Sequence, residues 1–269
     1  MYLEFIEKLN LDDNLKLKVT DLINQNEVSI LRLSRKFAKK RTGCLKFKSD
    51  LTRLACAVKA SEITYKKYKN KGIDDKIFFD TMDDIRIWCE NNNNEGLKEY
   101  NWIKNHLGFE LFKIGRLQFQ LFKCNNPTLN YKKLPVKYRS KAVYVHIPQG
   151  EKLDYDTCLS SIRSAKAFLK KYFPKYKYEY FFCESWLLYE KNKEFMNKNS
   201  NILQFQSLFN IAYSVEEDGQ AIERIFGKKE KDVSCYKQET SLQKSAKEYM
   251  QNGGKLGIGI GYIKASDIH

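Results

Sequence analysis

Histidine and proline are scarce in this chain of 269 residues, with three of the first and four of the second. The seven cysteines, Cys44, Cys56, Cys89, Cys124, Cys158, Cys183 and Cys235, are odd in number, scattered, and never spaced C-x-x-C. With so few histidines, this argues against a zinc site, and no metal is expected. The same scatter fits reduced thiols better than a disulfide framework, so a cytoplasmic location is expected. No run of about 20 apolar residues occurs, so no membrane span is expected. The opening residues MYLEFIEKLNLDDN carry acids and lack a basic segment ahead of an apolar one, which argues against a signal peptide. Walker loops, GxGxxG, HExxH and GxSxG are all missing, and so are internal repeats. The glycines of GIGIGYI resemble a phosphate loop only superficially. They lie late in the chain with no helix after them, and a closing strand is expected there.

What is present is charge and aromatic mass. The chain carries a formal net charge of +15, with 42% hydrophobic and 14% aromatic residues, enough for a packed core. Its length allows one large or two small domains. Residues 1–113 hold 22 Lys/Arg against 17 Asp/Glu, and the remainder 26 against 16, so the excess sits mainly in the second part. A positive balance favours an anionic partner, either nucleic acid or a phosphorylated cofactor. A compositional bias toward Lys, Asn, Ile and Tyr is the plainer source of the same charge.

Up to residue 113 the periodicity is helical. Leu15, Val19 and Leu22 share a face behind an Asp12 cap, and Ile30, Leu33 and Phe37 continue it. Asp50 is placed to cap a helix with Leu51, Leu54 and Val58 inward, ending near Gly72. Asp74 is placed to cap the next, with Ile77, Met82 and Ile85 inward. A further helix is expected from about Leu97, with Ile103, Leu107, Leu111 and Ile114 at helical spacing and Gly115 ending it.

The period changes at Arg116. Leu117, Phe119 and Leu121 alternate with Gln118 and Gln120, the signature of a half-buried strand. We therefore expect a helical domain over 1–113 and an α/β domain over 114–269. Lys123 to Lys141 reads as a basic loop with two prolines and no acid. Next, Ala142 to Ile147 reads as a buried strand stopped by Pro148 and Gly150. Asp154 then caps a helix with Cys158, Ile162, Ala165, Leu169 and Tyr172 on one stripe, leaving Arg163, Lys166 and Lys170 off it. Glu179 to Trp186 is a second strand. Ile202, Phe205, Leu208, Phe209 and Ile211 suggest further extended segments. Ala221 to Phe226 and Ser241 to Gln251 read as helices, and Lys255 to Ile263 as the closing strand.

Two ionisable residues sit inside apolar strands, His146 in YVHIP and Glu184 in FFCESWLL. Burial raises a carboxylate's pKa, which suits a general base near neutral pH, while a hydrogen-bonded core histidine and an ion-paired glutamate are the plainer alternatives. Thr240-Ser241 is simplest as a helix cap and Asn201 as a turn residue.

Several strings occur together in order: DTMDDIRIW from Asp80, GRLQFQ from Gly115, VHIPQG from Val145, the helix from Ser160 to Phe173, CESWLL from Cys183, SNILQF from Ser200 and TSLQ from Thr240. Over nearly the whole chain this set resembles bacterial acyltransferase-domain proteins that pair a helical N-terminal domain with a GNAT-like C-terminal domain. The resemblance implies an α+β fold with a mixed sheet, acyl-CoA as donor, and an amine on a small molecule or peptide as acceptor. It implies a base on the strand of His146, where the superfamily often places one, with Glu184 on the neighbouring strand as the other candidate, at a position where the family commonly has histidine. CoA contacts would come from Ile147, Pro148, Gly150, Arg163 and Lys166. Acceptor contacts would come from Arg116, Gln118, Ser185 and Asn201. The superfamily's Q/R-x-x-G-x-G/A cradle is replaced here by HIPQGEKLDYD, which has one glycine and places Glu151, Asp154 and Asp156 near the pyrophosphate position. A GNAT-like binding module without catalysis, and nucleic-acid binding through the 123–141 loop, are the alternatives.

Overall fold

A computed structural model, which describes residues 2–269, opens with seven helices. They are α1 (Tyr2–Lys8), α2 (Asp13–Gln25), α3 (Glu27–Phe37), α4 (Asp50–Lys71), α5 (Asp75–Met82), α6 (Asp84–Glu90) and α7 (Tyr100–Leu107). The strands β1 (Leu111–Ile114) and β2 (Leu117–Lys123) follow. These elements up to Leu121, with the short segment Ile147–Gly150, form one compact unit. Helix α4 is its hub and touches α1, α2, α3, α5 and α7. Its buried Ala55, Ala57, Ala60 and Ser61 let neighbours approach closely. Further along, the fully buried Tyr68 packs its ring on Phe78, Phe109 and Phe112.

The expected caps at Asp12 and Asp74 are present, accepting from the backbone N–H groups of Leu15 and Lys76. Gly72 ends α4 in the left-handed region at φ +66°. The cap of α4 is Ser49, however, not Asp50. Asp50 instead occupies the first turn, where the helix dipole favours an acid, and its carboxylate receives Arg53 and Asn92. The helix expected from Leu97 to Ile114 also needs correction. It stops at Leu107, and Leu111 and Ile114 belong to a strand. Phe109 takes a left-handed φ of +64°, which a helix cannot continue through, and its ring is held against Tyr68 at 4.9 Å. Gly115 then supplies the positive φ of the tight β1–β2 turn, with Ile114 opposite Leu117.

The second unit comprises Phe122–His146 and Glu151–His269. It contains β3 (Lys141–His146), α8 (Tyr155–Tyr172), β4 (Tyr180–Ser185), α9 (Asn201–Gln206), β5 (Asn210–Val215), α10 (Gly219–Phe226), α11 (Ser241–Gln251) and β6 (Ile258–Lys264). Its sheet is mixed. The strands β3 and β4 are parallel, while β4 with β6 and β6 with β5 are antiparallel. The fold is α+β, as expected. Asp154 caps α8 by accepting from Thr157, and Cys158, Ile162, Ala165 and Leu169 are buried. Thr240 and Gln243 close a capping box at α11.

The segment around Ile202 and Phe205 is helical, not extended. Ser200 accepts from the Leu203 N–H and starts α9, so only Asn210–Val215 is a strand there. The glycines of β6 are strand residues set by close packing. A β-carbon at Gly259 would overlap the Leu188 carbonyl, because the 3₁₀ turn Trp186–Leu188 lies against this strand. The segment between β2 and β3 is a cover and not a free loop. Its Cys124, Leu129, Leu134 and Val136 are buried on Ala142, Phe182, Ile258 and Ile260.

Candidate active site

Pleating decides which side chains meet at the ends of β3 and β4. Register pairs Tyr144 with Phe182, and residues two apart share a face, so Tyr144, His146, Phe182 and Glu184 all project to one side. Across the antiparallel neighbour, Glu184 is opposite Ile260. Cα pairing joins Val143 to Phe181 and Tyr144 to Phe182, while β3 runs on to His146 and β4 to Ser185.

Tyr144 connects the two candidate bases. Its hydroxyl donates to Glu184 Oε2 at 3.2 Å. Its ring stacks on the His146 imidazole at 4.6 Å, with 23° between planes. Burial pushes the Glu184 carboxyl above its ordinary value, and the charge of Glu217 adds to this. The Tyr144 hydrogen bond opposes the rise without cancelling it. Tyr144 is itself pushed well up, first by burial and then by the charge of Glu184, so it remains a donor. Burial and Glu184 also raise the neighbouring Cys183 thiol, which therefore stays protonated and is a poor nucleophile.

A small apolar cavity of about 10 Å³ ends on Glu184 and Tyr144. Its other walls include Leu129, Leu134 and Val136 of the cover segment and Phe182, Cys183 and Ile260 of the sheet. Helix α8 borders the opposite face. Its Leu159, Ile162 and Arg163 line a surface cavity of about 270 Å³ with Ile263, the residue paired with Phe181.

The remaining expected site residues divide by what holds them. Arg116 is buried and its Nη1 donates to the Pro148 carbonyl at 2.9 Å, which joins an expected acceptor contact to an expected CoA contact. Ile147 is half-buried, Pro148 buried, and Gly150 exposed at φ +108°. Arg163 is exposed, whereas Lys166 donates to the Ile268 carbonyl at 2.7 Å. The Ser185 hydroxyl caps the following 3₁₀ turn by accepting from Leu187. Asn201 is the first residue of α9, half-buried. Among the described residues no cluster of three or more His, Cys, Asp or Glu side chains suits a metal.

Sequence reasoning missed two features. Tyr144 reads as core because tyrosine favours strands, although its spacing from His146 already places both on one face. The second is a buried carboxylate in the helical unit. Asp84 Oδ2 accepts from Trp102 Nε1 and from His106 Nε2, each at 2.9 Å. Burial alone would raise Asp84, but His106 and Trp102 together hold it below its ordinary value. The Gln118 amide pulls the same way, although its Nε2 closes no hydrogen bond of good geometry. The four-residue spacing of Trp102 and His106, one helical turn, is the signal that sequence offered.

Residues 16–108 match the model of the N-acyltransferase N-terminal domain, and residues 111–263 that of the GNAT-like C-terminal domain. Solved structures share the fold. An acyltransferase in complex with decanoyl-CoA and teicoplanin superposes with a TM-score of 0.78 at 16% identity, covering 97% of this chain and 87% of that one. An acyltransferase in complex with CoA and 10C-teicoplanin gives the same four values. With decanoyl-CoA alone the TM-score is 0.77, again at 16% identity, over 97% and 86% of the two chains. No curated protein matches the chain in sequence.

Proposed function

The chain belongs to the family that joins an N-acyltransferase N-terminal domain to a GNAT-like C-terminal domain, and on that premise we propose that it transfers an acyl group from acyl-CoA to an amine. The observation that carries this reading is the Glu184 carboxylate, raised by burial, hydrogen-bonded by Tyr144 and placed where β3 and β4 run past their paired residues. A carboxylate so placed is tuned toward the pH at which it can take a proton from an ammonium or an attacking amine. The amine nitrogen attacks the thioester carbonyl, the C–N bond forms, the C–S bond breaks, and the thiolate leaves to be protonated. His146, stacked on Tyr144, is the second group able to carry that proton.

The site residues follow from this reading. The backbone of Ile147, Pro148 and Gly150 receives the donor, with Arg116 fixing the Pro148 carbonyl. Arg163 and Lys166 of α8 supply positive charge for its phosphates, and Gln118, Ser185 and Asn201 are assigned to the acceptor's surroundings. Residues 1–113 shape acceptor binding, and residues 114–269 carry the transfer. The acceptor is an amine on a small molecule or peptide, a reading supported by the teicoplanin bound to an acyltransferase of the same fold. Seven free thiols support a reducing compartment, the cytoplasm. No helix among the described residues is long and apolar enough to cross a membrane.

The test is direct. The protein is incubated with acetyl-, octanoyl- and decanoyl-CoA and a panel of amines, and thiol release is read against amide formation by mass spectrometry. Amide formed in step with thiol supports the reading. Thioester left intact with every amine contradicts it.

A further inference from the structure

We propose that the apolar cavity ending on Glu184 receives the acyl group and that its size limits the donor to acetyl-CoA, an inference that rests on Glu184 as the base. The cavity and all its walls belong to the second unit. Tyr144, Phe182, Glu184 and Ile260 share one face of the sheet, and Leu129, Leu134 and Val136 of the segment between β2 and β3 close over it. Phe182 precedes Glu184 by two residues on that face, so the cavity runs from the carboxylate back along β4.

Bond geometry ties this space to the acyl group. A general base lies about 2.6–3.2 Å from the atom whose proton it takes. Here that atom is the amine nitrogen, which bonds to the thioester carbonyl carbon. The first carbon of the acyl chain is one bond further on. The chain therefore begins beside the Glu184 carboxylate and needs apolar space there. Apart from that carboxylate and the Tyr144 hydroxyl, which pair with each other at 3.2 Å, the cavity is lined by hydrocarbon and thiol. A charged group would lose its hydration inside it, so hydrocarbon is the favoured occupant.

Volume sets the length. About 10 Å³ is room for one group the size of a water molecule, and a methyl is of that size. An acetyl group fills it. Each further methylene has to push a wall, and the walls are held. The Cys124 N–H donates to the Ser140 carbonyl at 2.9 Å, and the Cys124 carbonyl accepts from Arg139 at 2.6 Å. The Asn130 N–H donates to the Tyr213 hydroxyl at 2.9 Å. The Tyr176 hydroxyl lies 2.7 Å from the Phe122 carbonyl and 2.9 Å from that of Ala142. Phe122, also in the lining, packs edge-on against the Tyr144 ring at 5.3 Å. Leu129, Leu134 and Val136 are the specificity-determining residues, because shortening any of them lengthens the cavity without touching the base.

A donor series of acetyl-, propanoyl-, butanoyl- and octanoyl-CoA, run with the fastest amine of the panel, tests this. One methylene in an apolar pocket is worth about 10–200-fold. The kcat/KM is therefore expected to fall at least about tenfold at each step from acetyl to butanoyl, with octanoyl lowest. Leu134→Ala is expected to raise the butanoyl-to-acetyl ratio by about tenfold. Val136→Ala, a smaller change, is expected to shift it the same way and serves if the first variant fails a circular dichroism check. Equal or rising kcat/KM along the series in the parent would overturn the proposal, as would a ratio unmoved in a folded variant. So would a variant that keeps the donor ratio and instead admits bulkier amines, which would give the cavity to the acceptor. If no amine is acylated, the acyltransferase reading fails, and calorimetric titration with acetyl-CoA and octanoyl-CoA judges the cavity separately. Acetyl-CoA bound at least about tenfold tighter, with the gap narrowed in Leu134→Ala, supports the cavity; equal affinities, or no binding of either, contradict it.

Discussion

The Tyr144 hydroxyl donates to Glu184 Oε2 at 3.2 Å while the Tyr144 ring stacks on His146 at 4.6 Å. One side chain therefore touches both groups able to move a proton, and it restrains the basicity of one of them.

Tyr144→Phe keeps the ring and removes the hydroxyl. Burial raises Glu184, and the hydroxyl's hydrogen bond acts against that rise. Its loss lifts the carboxyl further, so the acidic limb of the rate profile is expected to move to higher pH. An acidic limb left in place in the variant's kcat/KM profile would show that Glu184 does not set it.

Glu184→Gln is expected to stabilise the fold above neutral pH. A carboxyl whose folded pKa is raised stabilises the protein below its unfolded value of about 4.3 and loses that contribution as pH rises through the raised value. The neutral amide has no such loss. Thermal melts at pH 8 should favour the variant, and those at pH 4 should bring the two proteins together. A variant less stable at pH 8 than at pH 4, relative to the parent, would reverse the sign of the argument.

Asp84→Ala tests the buried network of the helical unit. Removing the acceptor of a buried donor costs about 1–3 kcal/mol, because the donor is left unsatisfied. Here both Trp102 Nε1 and His106 Nε2 lose their acceptor. Asp84 is held below its ordinary value, so its contribution is present above about pH 3.9 and lost as pH falls through the folded value. Denaturant melts of the two proteins should differ most at neutral pH and converge in strong acid. A difference under about 1 kcal/mol at neutral pH would mean that both donors find other partners in the variant.

The strands and helices that carry the site were legible because their periods are clean. The alternation at Leu117–Leu121 and the stripe of Cys158, Ile162, Ala165 and Leu169 mark β2 and α8 without outside help. Leu111 and Ile114 misled because their spacing continues a helical pattern by coincidence, and the left-handed Phe109 that breaks it is set by tertiary packing on Tyr68. The six-residue α9 is too short for its period to register. Glu184 stood out as an acid in an apolar strand. Tyr144 did not, since its role depends on a neighbour 40 positions away. Nor could sequence separate the two sides of the 123–141 segment, because Leu129, Leu134 and Val136 are isolated among polar residues and only the folded chain shows them inward.

Gly259→Ala is expected to be among the most damaging single substitutions in the second unit. The added methyl meets the Leu188 backbone carbonyl, which cannot swing away as a side chain can. Overpacking of this kind typically costs about 1–3 kcal/mol and sometimes more. Chemical denaturation is the readout, and a loss under about 0.5 kcal/mol would mean that the 3₁₀ turn 186–188 yields freely.

The central claim is that Glu184 takes the proton from the attacking amine. Its most direct test is the pH–rate profile of acyl transfer by Glu184→Gln beside the parent protein, with folding checked by circular dichroism. The account predicts a fall in kcat of about 10²–10⁴-fold, the usual loss with a general base, together with loss of the parent's acidic limb. Turnover near the parent's with an unchanged profile would contradict it.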